Sequence, residues 1–196
     1  TYTQPLGLEA RNIFNTVDDA PLPNFTGMQF IEEFSRGALL VNYAGHGSAG
    51  SMDKIFGVNV ADWGYLAKID NGRRRPLVLA LSCLNGMFTN PKEAFLSLAE
   101  VLTTKEEGGA IAYISASATS FVAQNNLLSQ DLFDAYFSRG QLQFGPTLNG
   151  AKARVLAAHP SWDAVVLTMQ LFGDPAQQLA LPPGPDYEAT HLASDW

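Results

Sequence analysis

The chain has 196 residues, 46% of them apolar and 16% charged, a balance typical of one compact globular domain and not of a disordered chain. Its 12 Lys and Arg residues against 19 Asp and Glu residues give a net charge of -7, and the only dense basic run is Arg73–Arg75, which disfavours nucleic acid as a partner. No apolar run is long enough to cross a bilayer. The single cysteine, Cys83, excludes an intramolecular disulfide and is a packing residue, a redox or modification site, or a nucleophile.

The first part of the chain is predicted to be a loop-rich lead-in over residues 1–25, because it mixes prolines with glycine and an acidic pair without clear periodicity. It starts at Thr1 without a leader, so we expect an excised or processed piece. A capping-box spacing begins at Thr26, and the apolar residues after it fall on one helical face. We therefore predict a helix over residues 27–36.

Three nearly unbroken apolar runs follow, at residues 38–43, 76–81 and 110–114. Continuous apolar character is typical of strands buried on both faces, so a parallel sheet covered by helices is favoured. The predicted helices cover residues 92–103, 126–139, 147–159 and 162–172.

The alternation of strands and helices predicts one α/β domain over residues 26–181. A glycine and a proline around Asp174 end the last predicted helix, after which residues 177–181 are expected to return as a final strand. A cluster of prolines then ends the domain, so residues 182–196 are predicted to form a mobile tail.

Two reactive side chains follow the first two apolar runs. In an open α/β sheet, functional groups collect where the strands end at their carboxyl edge. His46 follows the first run and Cys83 follows the second, and sequential strands of this kind are often neighbours in the sheet. An imidazole beside a thiol can generate the thiolate and later protonate the leaving amine, while the thiolate attacks a scissile carbonyl. The pattern predicts a nucleophile and its catalytic partner.

Each of these residues also has a simpler interpretation. A lone cysteine after a buried strand is more often core packing, and a histidine before a glycine is often a turn residue. Their occurrence together at two successive strand ends favours catalysis. Gly45 and Gly47 would let a substrate backbone approach His46, and the backbone amides of Gly47 and Cys83 are candidate oxyanion donors.

Five segments of this sequence match, in order, a pattern found in cysteine peptidases. An apolar run, His-Gly, a spacer, a second apolar run, a small residue and Cys occupy residues 39–47 and 77–83. Caspases, legumains, clostripain, separases and gingipains share this order. Residues 97–102, 109–117 and 171–176 add further likeness, and the caspase pentapeptide around the cysteine is absent. The chain resembles the gingipain family most.

The resemblance implies a bacterial cysteine endopeptidase, exported or held at the cell surface and acting on proteins or peptides. It also implies an α/β fold, a three-layer caspase-like sandwich around a mostly parallel central sheet. Carried over by position, Cys83 matches the nucleophile and His46 the catalytic histidine, and Gly47 and Cys83 match the amides of the oxyanion hole.

The resemblance further places the pocket for the residue before the cleaved bond on the loop at residues 115–121, with Ser117 and Phe121 as pocket candidates. A polar loop with one packed aromatic residue is the alternative. The family's catalytic domains are longer, so the first strands of the sheet, an acidic residue near the histidine and any acidic specificity residue would lie in a missing N-terminal part. No cofactor is implied for catalysis, and a structural calcium ion is often bound in the family.

Two alternatives to a working peptidase stay open at this point. One is a non-catalytic relative that serves as a scaffold or as a secretion component, and the other is a structural half that is inactive until a missing segment completes it. Among the remaining residues, Asp174 is expected to form a turn and Glu100 to orient a helix or pair with a backbone amide. The run Arg73–Arg75 is expected to be a solvated basic turn, with a processing site as the alternative.

Overall fold

A four-stranded sheet forms the centre of the computed structural model, which describes residues 8–13, 23–52, 66–89 and 96–182. In chain order, the elements are α1 (Pro23–Arg36), β1 (Leu40–Ala44), β2 (Gly47–Ser48), β3 (Ser51–Met52), β4 (Leu77–Leu81), α2 (Leu98–Thr104), β5 (Ala112–Ala116), α3 (Val122–Phe137), α4 (Phe144–Ala158), α5 (Asp163–Thr168) and β6 (Met169–Phe172).

The strands of the central sheet follow the order β1-β4-β5-β6. β1 pairs with β4 and β4 pairs with β5 in parallel, whereas β6 runs antiparallel to β5. The short strands β2 and β3 form a separate antiparallel hairpin directly after β1. The chain direction of β1, β4 and β5 therefore brings the loops that follow them to one edge of the sheet.

Both faces of the central strands β4 and β5 are buried, which explains their unbroken apolar runs, whereas β1 at the edge of the sheet is only partly buried. In β4, Leu77 and Leu79 point into one hydrophobic cluster, whereas Val78 and Ala80 point into the other. All five residues of β4 and all five of β5 are buried. Side chains alternate between the faces of a strand, so apolar residues are needed at every position when helices cover both sides.

Helices cover the two faces in two layers. Ile31 and Phe34 of α1 pack with the buried residues of α2 on one face. On the other face, Leu128 and Leu132 of α3 pack against Leu148 of α4. The expectation of a three-layer α/β fold with a mostly parallel sheet is confirmed. Within the described residues, no helix has both the length and the apolar character needed to span a membrane.

The start of α1 differs from the prediction. The helix begins at Pro23 and not at residue 27, so Thr26 lies inside it and the predicted capping box is wrong. Proline suits the first helical position because its missing N–H would be unpaired there in any case. A true capping box occurs at α2, where Ser97 accepts from the amide of Glu100 and the Glu100 carboxylate accepts from the amide of Ser97.

The largest error concerns residues 162–172, which were predicted to form one helix. The helix ends at Thr168, and residues from Met169 onward form β6 at the edge of the sheet. Apolar character in a short segment does not separate helix from strand, and pairing with β5 decides between them. The predicted strand at residues 177–181 is also wrong, since only one isolated bridge joins Gln143 to Gln178.

The other predicted elements agree to within a few residues at their ends. α3 begins four residues before the predicted start at 126, and α4 begins three residues before 147. α2 starts at Leu98, and residues 90–95, which include the first part of the helix predicted from 92, lie outside the described residues. Residues 183–196 of the predicted tail lie outside them as well.

Candidate active site

The parallel pairing of β1 with β4 sets the positions of His46 and Cys83. The last pair in the register joins Ala44 to Leu81. His46 and Cys83 each follow two residues later in the chain, at the carboxyl edge of neighbouring strands. Because neighbouring strands lie roughly 5 Å apart, the two loops leave the sheet side by side.

Gly47 makes close contact with the turn that carries Cys83. A Cβ atom at Gly47 would lie 2.6 Å from the carbonyl oxygen of Cys83 and 2.7 Å from the Oγ of Ser82. These distances are shorter than the contacts that real side-chain carbons make, so only glycine fits between the two segments. The sequence predicted that Gly47 lets a substrate backbone approach His46. In the structure, the glycine is also needed for contact between its own segment and the turn that carries Cys83.

Tyr43 fixes the backbone at the histidine. Its hydroxyl donates a hydrogen bond of 2.6 Å to the carbonyl oxygen of His46. Burial raises the pKa of Tyr113 in β5 well above its ordinary value, and Tyr43 adds to this effect, so Tyr113 stays neutral in the core. His46 itself is an exposed residue.

The thiol of Cys83 is half-buried and contacts the loop after β5. The amide of Ser120 donates to Sγ at 3.3 Å, the hydroxyl of Ser120 lies 3.8 Å from Sγ, and Sγ lies 3.5 Å from the carbonyl oxygen of Ser120. Asn125, in the first turns of α3, donates to the Ser120 hydroxyl at 2.9 Å. The thiol can thus donate to one oxygen of Ser120, and a thiolate can accept from two donors of the same residue.

The residue after the cysteine has a strained backbone. Leu84 has a φ of 64° and is the one non-glycine residue with positive φ in the described part of the chain. For a leucine this conformation is uncommon and costs about 1 to 2 kcal/mol. Hydrogen bonds from the amides of Leu84 and Gly86 to the carbonyls of Ala118 and Ala116 hold it in place. Such strain clusters at functional sites, where the surroundings maintain it.

The two pocket candidates differ in their surroundings. Ser117 donates from both its amide and its hydroxyl to the carbonyl oxygen of Thr168, at 2.9 Å and 3.1 Å, so its side chain is occupied in joining β5 to the end of α5. Phe121 is 56% exposed and immediately precedes α3, next to the residue that contacts the thiol. The structure therefore exposes the side chain of Phe121, whereas the hydroxyl of Ser117 is already paired within the protein.

Sequence reasoning did not single out Ser120, Asn125 or Asn85. Asn85 is fully buried, and its side chain joins the Cys83 turn to the β2–β3 hairpin. An Asn-Gly pair after a strand indicates a turn, which gives no sign of such cross-links. Ser120 and Asn125 stand in polar sequence without a motif, and only the fold of the loop after β5 brings them to the sulfur.

Glu100 and Asp174 have structural roles, as predicted. The carboxylate of Glu100 accepts from the amide and the hydroxyl of Ser97, both at 2.8 Å, and so caps α2. Asp174 accepts from the amide of Ala176 at 2.8 Å and forms a turn. Across residues 8–13, 23–52, 66–89 and 96–182, no three His, Cys, Asp or Glu side chains lie close enough together to hold a metal ion.

The chain is similar in sequence and in fold to proteinases of a bacterium. Over 79% of its length, the chain is 25% identical to gingipain R2 and to gingipain R1 of Porphyromonas gingivalis. The crystal structure of the Arg-specific cysteine proteinase gingipain R superimposes with a TM-score of 0.70 at 21% identity, covering 79% of this chain. A complex of the pro- and mature domains of RgpB from the same organism gives a TM-score of 0.69 at 20% identity.

The match covers most of this chain but a minor part of those proteins. The chain spans 21% of gingipain R2, 16% of gingipain R1 and 36% of the solved gingipain R chain. The likeness to the solved structures shows the fold. The family model of Peptidase family C25 matches residues 3–180, which is most of the sequence. The chain therefore belongs to peptidase family C25, the family of the gingipain-type cysteine peptidases.

Proposed function

We propose that this chain carries the His46 and Cys83 half of a cysteine endopeptidase that hydrolyses peptide bonds in proteins or peptides. The observation that carries the proposal is the register of β1 and β4, which brings His46 and Cys83 to equivalent positions two residues beyond the pair Ala44 and Leu81. Membership of peptidase family C25 supports the same chemistry.

In the proposed reaction, Cys83 is the nucleophile. The thiol proton passes to the imidazole of His46, and Sγ forms a bond to the carbonyl carbon of the scissile peptide. The C–N bond breaks as the imidazolium returns its proton to the leaving amine, which leaves a thioester on Cys83. Water then attacks the thioester carbon while His46 takes one proton of that water. The C–S bond breaks, the carboxylic acid leaves, and the imidazolium returns the proton to Sγ, which regenerates the thiol and the neutral imidazole.

Two further features support this cycle. The amides of Gly47 and Cys83 are the proposed donors to the oxyanion, because the contact of Gly47 with the Cys83 backbone keeps these two residues adjacent. The hydrogen bonds from Ser120 to Sγ would stabilise a thiolate before attack. Phe121 is the proposed contact for the side chain before the cleaved bond, since it is exposed beside Ser120.

The test is covalent labelling of Cys83 by an acyloxymethyl-ketone peptide probe at neutral pH. We expect fast labelling of the parent chain, no labelling of Cys83→Ala, and labelling slowed by at least about 100-fold in His46→Ala, because general acid–base catalysis contributes about 10² to 10⁴ in rate. Thermal melts of the three proteins should coincide, which would show that the loss is chemical.

His159 provides the matched control for His46. It stacks on Trp162 with ring centroids 4.0 Å apart, far along the chain from the site, so His159→Ala should label at the parent rate. Slow labelling that is the same in the parent and in His46→Ala would contradict the proposal. The chain would then be a non-catalytic peptidase-like scaffold or secretion module.

The location of the protein is a separate proposal. We propose that the chain is bacterial and is exported or held at the cell surface, and the bacterial gingipains among its relatives support this. Detection of the protein in the culture medium or on intact cells by a specific antibody would agree with it. Confinement to the cytosolic fraction would contradict it.

A further inference from the structure

Asn85 connects two loops of the candidate site through its side chain. The residue is fully buried. Its Oδ1 accepts a hydrogen bond of 2.6 Å from the hydroxyl of Ser82, in its own turn. Its Nδ2 donates to the carbonyl oxygens of Ser48 and Ser51, at 2.5 Å and 2.8 Å, in the hairpin that follows His46. One amide group therefore fixes the hairpin to the turn that carries Cys83.

The contact between Asn85 and Ser48 continues the register of the strands. Ser48 and Asn85 are 37 residues apart, the same separation as in the backbone pair Ala44 and Leu81. His46 and Cys83 have this separation too and lie halfway between the two pairs. The candidate dyad is thus held on one side by the sheet and on the other by the Asn85 side chain, although regular pairing of β1 with β4 has already ended.

Helix α2 anchors both segments at the same place. The amide of Ala99 donates to the carbonyl oxygen of Asn85 at 3.1 Å, and the amide of Leu98 donates to the carbonyl oxygen of Ala49 at 2.8 Å. The turn and the hairpin are therefore fixed to one rigid element. The side chain of Asn85 is the part of this arrangement that joins them directly to each other.

The chemistry of the contact requires an amide. Two carbonyl oxygens need a group with two N–H donors, and the hydroxyl of Ser82 needs an acceptor, which an asparagine side chain supplies together. Aspartate has the same shape but would direct a carboxylate oxygen at the carbonyls of Ser48 and Ser51. Loss of both donors would leave these carbonyls unpaired in a buried place.

We propose that Asn85 is a positioning residue that holds His46 in register with Cys83 by tying the β2–β3 hairpin to the Cys83 turn. The proposal rests on the proposed peptidase function, because the alignment of His46 with Cys83 matters for activity only if the two residues react together. It predicts that the chemical dependence of Cys83 on His46 is lost when the amide is replaced, even though neither residue has changed.

The first measurement is the ratio of probe-labelling rates with and without His46→Ala, in the parent and in Asn85→Asp. We expect this ratio to fall by about tenfold in the Asn85→Asp background, since coupled residues in one network share energies equivalent to factors of about 2 to 150. An unchanged ratio would overturn the proposal. If Asn85→Asp does not fold, Ser82→Ala replaces it, with an expected fall of about threefold from the loss of one orienting hydrogen bond.

Asn71→Asp is the matched control. Asn71 is also a buried asparagine whose Nδ2 donates to two carbonyls, those of Arg74 and Gly109, both at 2.9 Å, and whose Oδ1 accepts from the amide of Gly109. Asn71 lies before β4 and its partner Gly109 lies before β5, so this contact is at the opposite edge of the sheet. Asn71→Asp should lose comparable stability and leave the ratio unchanged, and an equal fall in both variants would overturn the specific role of Asn85.

A second measurement separates this inference from the proposed function. Alkylation of Cys83 by iodoacetamide should shift the NMR resonances of the His46 imidazole in the parent chain and not in Asn85→Asp. If labelling in the parent does not depend on His46, the peptidase proposal fails. A His46 NMR response that is present in the parent and absent in Asn85→Asp would still support the positioning role of Asn85. A response that persists in Asn85→Asp would overturn the positioning role.

Discussion

At each end of the parallel strands, a buried asparagine joins two loops through hydrogen bonds of its side chain. At the amino edge, Asn71 joins the turn before β4 to Gly109, just before β5. At the carboxyl edge, Asn85 joins the turn after β4 to the hairpin after β1. The two edges therefore use the same kind of contact, but the proposed nucleophile and its proposed base both lie at the carboxyl edge.

The edges differ in how they accommodate left-handed backbone. At the amino edge, Gly37, Gly72, Gly108 and Gly109 all have positive φ, between 53° and 89°. At the carboxyl edge, Leu84 takes this conformation directly after Cys83. Glycine adopts it without cost and leucine does not. The amino edge is built for stability, whereas strain is retained at the edge where chemistry is proposed.

The arginine run belongs to the amino edge and contributes to its stability. Arg75 donates to the carbonyl oxygens of Lys105 and Glu106, at 3.2 Å and 2.7 Å, at the end of α2. Arg74 donates to the carbonyl oxygen of Ser35 at 3.4 Å, in the last turn of α1. The expectation of a purely solvated basic turn is wrong for Arg75, which is half-buried, because two carbonyls beyond a helix end attract a guanidinium.

The largest effect that we predict tests the amino edge through Gly109→Ala. A Cβ atom there would clash with the carbonyl oxygen of Leu102, and the φ of 87° is unfavourable for alanine. We expect the free energy of unfolding to fall by about 3 kcal/mol, measured by urea denaturation. Probe labelling of Cys83 in the molecules that remain folded should match the parent, and a selective loss of labelling would break the distinction between the edges.

Gly47→Ala tests the carboxyl edge with the same substitution. The new methyl group would meet the carbonyl of Cys83 and the side chain of Ser82, so the His46 loop or the Cys83 turn must move. We expect probe labelling to slow by about tenfold or more, because displacements of about 1 Å at reacting groups have effects of this size. Stability should fall less than in Gly109→Ala, since no left-handed residue is involved.

Gly150→Ala provides the control for both glycine variants. Gly150 lies inside α4, and the atoms nearest to a new Cβ are the mobile end of Arg154, at 3.3 Å or more. Alanine favours a helix interior over glycine by about 1 kcal/mol. Gly150→Ala should melt at or above the parent temperature and label at the parent rate. A loss of labelling there would show that the assay responds to any glycine substitution.

The sequence was sufficient to predict the three parallel strands of the sheet and the place of His46 and Cys83 after two neighbouring strands, and the reason is physical. β4 and β5 are buried on both faces, so their apolar runs are unbroken and easy to recognise. β6 was predicted as helix because its partner on β5 is distant in sequence. The contacts of Asn85 and Ser120 depend on loops that meet only after folding, and no local pattern specifies them.

Arg75→Ala should have a smaller effect, confined to stability. The substitution removes the two hydrogen bonds to the carbonyls after α2, and we expect a loss of about 1 kcal/mol in the free energy of unfolding. The exposed neighbour Arg73 serves as the control, since Arg73→Ala removes the same charge and should leave stability within about 0.5 kcal/mol of the parent. Equal losses in both variants would mean that net charge, and not the contact at the amino edge, is responsible.

The smallest predicted effect concerns the thiol at the carboxyl edge. Ser120→Ala removes the hydroxyl that lies 3.8 Å from the Sγ of Cys83 and leaves the backbone amide at 3.3 Å in place. The measurement is the rate at which iodoacetamide alkylates Cys83 at neutral pH, because the thiolate is the reactive form. Loss of one long hydrogen bond to the sulfur should slow alkylation by about threefold.

Two further variants make this rate interpretable. Thr119→Ala removes an exposed hydroxyl one residue earlier and should be alkylated at the parent rate. The effect of Ser120→Ala should also be measured in the His46→Ala background. An equal slowing in both backgrounds assigns the effect to Ser120, since the imidazole is then absent from one of them. A rate that does not fall would show that the loop after β5 does not stabilise the thiolate, and the proposed site would then depend on His46 alone.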